Sequence, residues 1–147
     1  MSEKLEVIIL EKEKYVPVAK EYLDTRDDLH VTFVRNYHEY LSEFQKKDYA
    51  LVIFGTCRPL GIGGVEIQIN KDMYLIKKHS VPYIIWDHMG GTVLNKDLLD
   101  EYGSWVTAGD KEQSENWKIL FESQTIQRVL NVAKAQRKYP HLIIKYV

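Results

Sequence analysis

A single cysteine, Cys57, in 147 residues leaves no thiol partner within the chain. That excludes an internal disulfide and any zinc site built from several thiolates, so a metal would have to be held by carboxylates or imidazoles. An excess of charge of one sign is missing too. The 20 basic and 21 acidic residues give a formal net charge of −1, and no global field draws the chain to nucleic acid or to an anionic membrane. No apolar run is long enough to span a bilayer, and the one in "MSEKLEVIIL" is too short and too acid-flanked for a signal peptide. An intracellular, cytoplasmic protein is the expectation. Linkers, internal repeats and low-complexity tracts are also lacking, so residues 1–147 read as one domain, large enough to bury a core without disulfides or metals.

What the chain has is an alternation of short apolar runs with segments of helical period. The runs "EVIIL" (6–10), "HVTFV" (30–34), "ALVIF" (50–54), "VPYIIW" (81–86) and "SWVTA" (104–108) have the continuous, β-branched character of strands buried on both faces. Between them, 15–23 places Tyr15, Ala19, Tyr22 and Leu23 on one helical face, with Pro17 in the first turn. A second helix starts at "NYHE", where Asn36 serves as N-cap and Glu39 sits at the capping-box position. The segment 65–79 reads as a helix with strand as the alternative, because its Val, Ile and Asn content gives poor helix propensity. A short helix over 95–103 ends at Gly103 in the C′ position. A last helix over 123–138 has Ser123 as N-cap and an apolar stripe of Ile126, Val129, Leu130 and Ala133. "HLIIKYV" closes the chain as an extra strand. Strands alternating with helices predict an α/β sandwich with a parallel sheet, whose working surface lies at the carboxyl ends of the strands.

The segments "VIILEKE", "DYALVIFGTCRPLGIGGVEI" and "VPYIIWDHMGG" are similar in spacing and apolar pattern to those of a response-regulator receiver domain. Pro59 and Gly63 or Gly64 stand where that family has its proline and glycine. The resemblance covers roughly 5–109 and the helix at 123–138, with 109–122 as an insertion and 139–147 as an extension. It implies a flavodoxin-like three-layer sandwich with a five-stranded parallel sheet in the order 2-1-3-4-5. It also implies where a phosphorylation site would be, and there the chain departs from the family. Of the two acids expected after the first strand, Glu11 keeps one and Lys12 replaces the other. Gly55 stands at the phosphoacceptor position, Asp87 at that of the switch hydroxyl, and Ala108 at that of the lysine, with Lys111 offset by three residues. Thr56 would point to the opposite side of the strand. The chain therefore resembles a degenerate receiver, a pseudo-receiver in which no acyl phosphate forms and no metal is held. Lys12 either pairs with Glu11 and Asp87, which would fix the pocket in one state, or projects into water, where an exposed pair contributes only about 0–1 kcal/mol.

The function expected from this resemblance is a non-phosphorylatable signalling or interaction module that needs no cofactor. With no output domain following, output would come through docking to a partner protein or a second copy. In the family, the face made by the fourth helix, fifth strand and fifth helix is the usual docking surface, and Tyr102, Trp105 and Trp117 fall around it. The alternative is a small flavodoxin-like enzyme or ligand-binding protein using a crevice lined by Glu11, Cys57, Asp87 and His88, where thiol, imidazole and carboxylate would converge. Pro59 opposes a nucleophile elbow at Cys57, since it takes the place of the small residue such a turn needs. "GIGG" (61–64) matches neither phosphate-binding glycine pattern and reads as turn glycines.

Overall fold

The computed structural model describes residues 4–55, 81–87, 103–107 and 113–141. Five strands form one sheet: β1 (Leu5–Leu10), β2 (Leu29–Val34), β3 (Leu51–Gly55), β4 (Tyr83–Asp87) and β5 (Gly103–Thr107). Their order is β2-β1-β3-β4-β5 and every neighbouring pair is parallel. Four helices are described: α1 (Val16–Leu23), which follows a 3₁₀ turn over Glu13–Tyr15, α2 (Tyr37–Phe44), α3 (Gln113–Glu122) and α4 (Gln124–Lys138). The architecture is the expected three-layer α/β sandwich of flavodoxin-like order.

Strand periodicity separates the core into two halves. Leu5, Val7, Ile9, Leu51, Ile53, Ile84 and Trp86 face the side covered by α1, α3 and α4. Ile8, Leu10, Val52, Phe54, Tyr83 and Ile85 face the side of α2, which contributes Tyr40. Both faces of β1, β3 and β4 are thus dry, and burial of this apolar surface is the main force holding the layers together.

The expected caps are present. Asn36 accepts a hydrogen bond from the Glu39 amide at 2.9 Å, and Ser123 accepts one from the Ile126 amide at 3.3 Å. Glu39 reaches back one residue further than a capping box requires, accepting from the Arg35 amide at 2.8 Å and pairing with the Arg35 guanidinium. The buried stripe of α4 is Ile126, Val129, Leu130 and Ala133, as its period predicts.

Two expectations are corrected. Gly103, read as the last residue of the segment 95–103, is the first residue of β5, opposite Tyr83 in the register. A Cβ at Gly103 would lie 2.5 Å from the Tyr83 ring, so it is the close approach of that buried ring that requires glycine there. Trp117 is not a surface anchor. It is 1% exposed, with its ring 5.9 Å from that of Trp86 on the sheet and 6.4 Å from that of Phe121. Residues 113–122 therefore supply α3 as a cover for the sheet, packed beside α1, with Tyr22 against Phe121 at 6.2 Å. The expectations for 65–79, for the helix before Gly103 and for a strand after residue 141 lie outside the described residues. Among the described residues, no helix is long and apolar enough to cross a membrane.

Candidate functional site at the carboxyl edge of the sheet

The parallel register brings the ends of the central strands level. Leu10 pairs with Phe54 and Gly55 with Trp86, so Glu11, the residue after β1, arrives beside Gly55. Its amide donates to the Val34 carbonyl at 2.9 Å, continuing the β1–β2 ladder and fixing the direction of its side chain. By alternation Glu11, Gly55 and Trp86 project toward the face covered by α1 and α3.

There the Glu11 carboxylate lies directly over Gly55. A Cβ on residue 55 would stand 2.6 Å from Glu11 Oε2, 2.9 Å from its Cδ and 2.9 Å from the Leu10 carbonyl oxygen. Glu11 is 2% exposed. The Lys12 amide donates to Glu11 Oε1 at 2.8 Å, so a main-chain donor partly solvates the carboxylate. Space that a side chain at residue 55 would need is occupied by an acid from the neighbouring strand.

The ion pair expected between Lys12 and Glu11 is not formed. Lys12 is the residue that enters the 3₁₀ turn, with its carbonyl accepting from the Tyr15 amide at 2.9 Å, and its ammonium makes no ion pair within 4 Å among the described residues. What Lys12 offers Glu11 is its backbone amide, not its ammonium. Asp87 is the last residue of β4 and pairs with Thr107; Trp105 is in β5 opposite Ile85. The side chains of Asp87 and Trp105 are outside the described residues, as are Cys57, His88, Tyr102 and Ala108. The residues brought together are therefore Glu11 and Gly55, with Trp86 beside them. Trp86 was overlooked in the sequence reading, although the two-residue period of "YIIWD" puts it on the same face as Ile84.

A second polar cluster, also missed, lies at the opposite edge of the sheet. Glu6 of β1 holds His30 Nδ1 at 2.8 Å, its register partner on β2, and Lys47 Nζ at 3.1 Å. An open groove of about 740 Å³ runs past it, lined by Lys4, Glu6, His30, Asp48, Arg137 and Pro140. Arg137 is committed to structure there, donating to the Lys4 and Asp48 carbonyls at 3.1 and 3.4 Å. The groove carries charged residues of both signs. Among the described residues, no group of three or more His, Cys, Asp or Glu side chains is placed to hold a metal ion.

The fold defines the class: a doubly wound α/β domain in which the Glu11 carboxylate lies over Gly55 at the carboxyl edge of the sheet. No family model matches the chain, and no match to a curated protein or to a solved structure was found.

Proposed function

We propose that this chain is a receiver-like interaction module that accepts no phosphoryl group and acts by docking to a partner protein. The observation that carries the reading is the Glu11 carboxylate seated over Gly55, where a Cβ would approach to 2.6 Å. Gly55 offers no oxygen to phosphorylate, and the space a side chain there would need is taken by the buried Glu11 side chain. A domain that takes no phosphoryl group has no phosphate-driven switch, and in this reading it works through its surface. With Trp117 in the core, the proposed partner face rests on Trp105 of β5, the last strand on its side among the described residues, and on Tyr102 before it. The enzyme alternative loses ground on the same observation, since a carboxylate 2% exposed is withdrawn from a crevice that would need it.

The test has two parts. Incubation with Mg²⁺ and acetyl phosphate is expected to leave the intact mass unchanged; a phosphoryl adduct on an aspartate or glutamate overturns the reading. Affinity capture from extract of the source cell is then compared between wild type and Trp105→Ala, with folding checked by circular dichroism. A protein captured by wild type and lost from the variant is the expected result. Equal recovery by both removes the face from the proposal.

A further inference from the structure

Among the described residues, strand β2 is the last strand of the sheet on its side and nothing pairs with its outer edge. The Asp28 and Val34 carbonyls accept from the β1 side, from the Leu5 and Glu11 amides, each at 2.9 Å. In a parallel ladder the residues that bond to a given neighbour alternate, so the even-numbered residues face β1. Leu29, Val31 and Phe33 therefore aim their N–H and C=O groups outward. The strand "LHVTFV" carries none of the usual guards of a free edge: no proline, no lysine, no acid. Val31 and Phe33 sit only partly buried at the rim of the core.

We propose that β2 pairs antiparallel with β2 of a second copy of this chain, with Val31 on the two-fold axis, so that one sheet runs through the dimer. Three features of the strand select this partner and this register. Residues equidistant from Val31 face one another, so outward-pointing Leu29 meets the outward-pointing Phe33 of the other copy, and Val31 meets itself. Every outward donor and acceptor of these residues finds a partner in that alignment. A slip of one residue would set outward groups against inward ones and carry the apolar row Leu29, Val31, Phe33 to the wrong face.

The third feature is charge. With Val31 on the axis, residue 27 lies opposite residue 35 of the other copy. Asp27 is exposed and makes no ion pair among the described residues, while Arg35 is 63% exposed, bonded to Glu39 at 2.8 Å and 3.9 Å from Glu13. Opposite charges thus meet at both ends of the paired strands, and a slip of two residues separates them. Such self-complementarity is what an isologous two-fold contact requires. An extended peptide from an unrelated protein would gain the backbone bonds without the symmetric charge pairs.

Sedimentation equilibrium of the full chain over a range of concentrations tests this. A monomer–dimer equilibrium is expected, weakened by salt. Val31→Pro removes the N–H on the axis and no bond to β1, so it should raise the dimer dissociation constant about tenfold or more while leaving the circular dichroism spectrum in place. Asp27→Lys and Arg35→Glu should each weaken the dimer, and the two together should restore it. The proposal is overturned by a chain that stays monomeric at every concentration. It is equally overturned by a dimer indifferent to Val31→Pro, or by a double reversal no tighter than the single ones. The charge variants sit on exposed residues, so they decide the matter even where the proline variant fails to fold.

Discussion

At residue 55 an added methyl group would meet three atoms at once: two of the Glu11 carboxylate and the Leu10 carbonyl oxygen. The first two belong to a side chain that can be displaced, but the third is backbone in β1, an interior strand of the sheet. Gly55→Ala should therefore destabilise the fold by about 1–3 kcal/mol, the range for overpacking a tight interior site. In a Glu11→Ala background the carboxylate is gone and only the main-chain contact remains, so the same substitution should be less costly. Urea denaturation of the four proteins measures the coupling, and a penalty independent of Glu11 would show that the carboxylate does not press on this position. The glycine was legible in the sequence as a side chain withheld from a strand end. That Glu11 fills the vacated space was not, because the two residues become neighbours only when the parallel register of β1 and β3 is set.

Among the elements, α3 departs furthest from what its sequence announces. "EQSENWKILFES" begins with polar residues and leaves Ile119 half exposed, so no clean apolar stripe marks it as a core helix. Its buried residues Trp117, Leu120 and Phe121 find their partners on remote elements: Trp86 on β4 and Tyr22 on α1. Strands β1 to β5 and helices α1, α2 and α4 were readable because their signals are local: β-branched runs, Asn36 and Ser123 as caps, and the stripe at 126–133. The assignment of Trp117 needed a non-local fact, the position of Trp86 beneath it. Trp117→Ala would leave a large cavity against Trp86 and should cost about 3–5 kcal/mol, far beyond the loss expected at an exposed docking residue. Thermal or urea unfolding checks this. A variant as stable as wild type would return Trp117 to the surface and reopen its assignment to a partner face.

For the molecule as a whole, the acid limb of stability should depend on how β2 is tied to the helical layer. Asp28, just before β2, takes two hydrogen bonds of 2.9 Å from the Arg26 guanidinium and lies 3.6 Å from Lys134 of α4, joining the end of α1, the start of β2 and the last helix. The Arg26 hydrogen bonds hold its carboxyl below the usual carboxylate range, aided by the guanidinium's charge and by Lys134, against a smaller opposing effect of burial. A carboxyl whose folded pKa is depressed contributes stability that is complete above its unfolded pKa and is lost as pH falls through the folded value. The side chains of Arg26 and Asp28 are 22% and 35% exposed, so solvent screening holds the contribution to about 1 kcal/mol or less. Asp28→Asn keeps the shape and removes the titration. Urea midpoints taken from neutral pH downward should show the variant weaker than wild type at neutrality, with the two converging as wild-type Asp28 protonates. Curves that stay parallel through the acid range would mean that this carboxylate contributes nothing to the tie, and that acid lability begins elsewhere in the sheet.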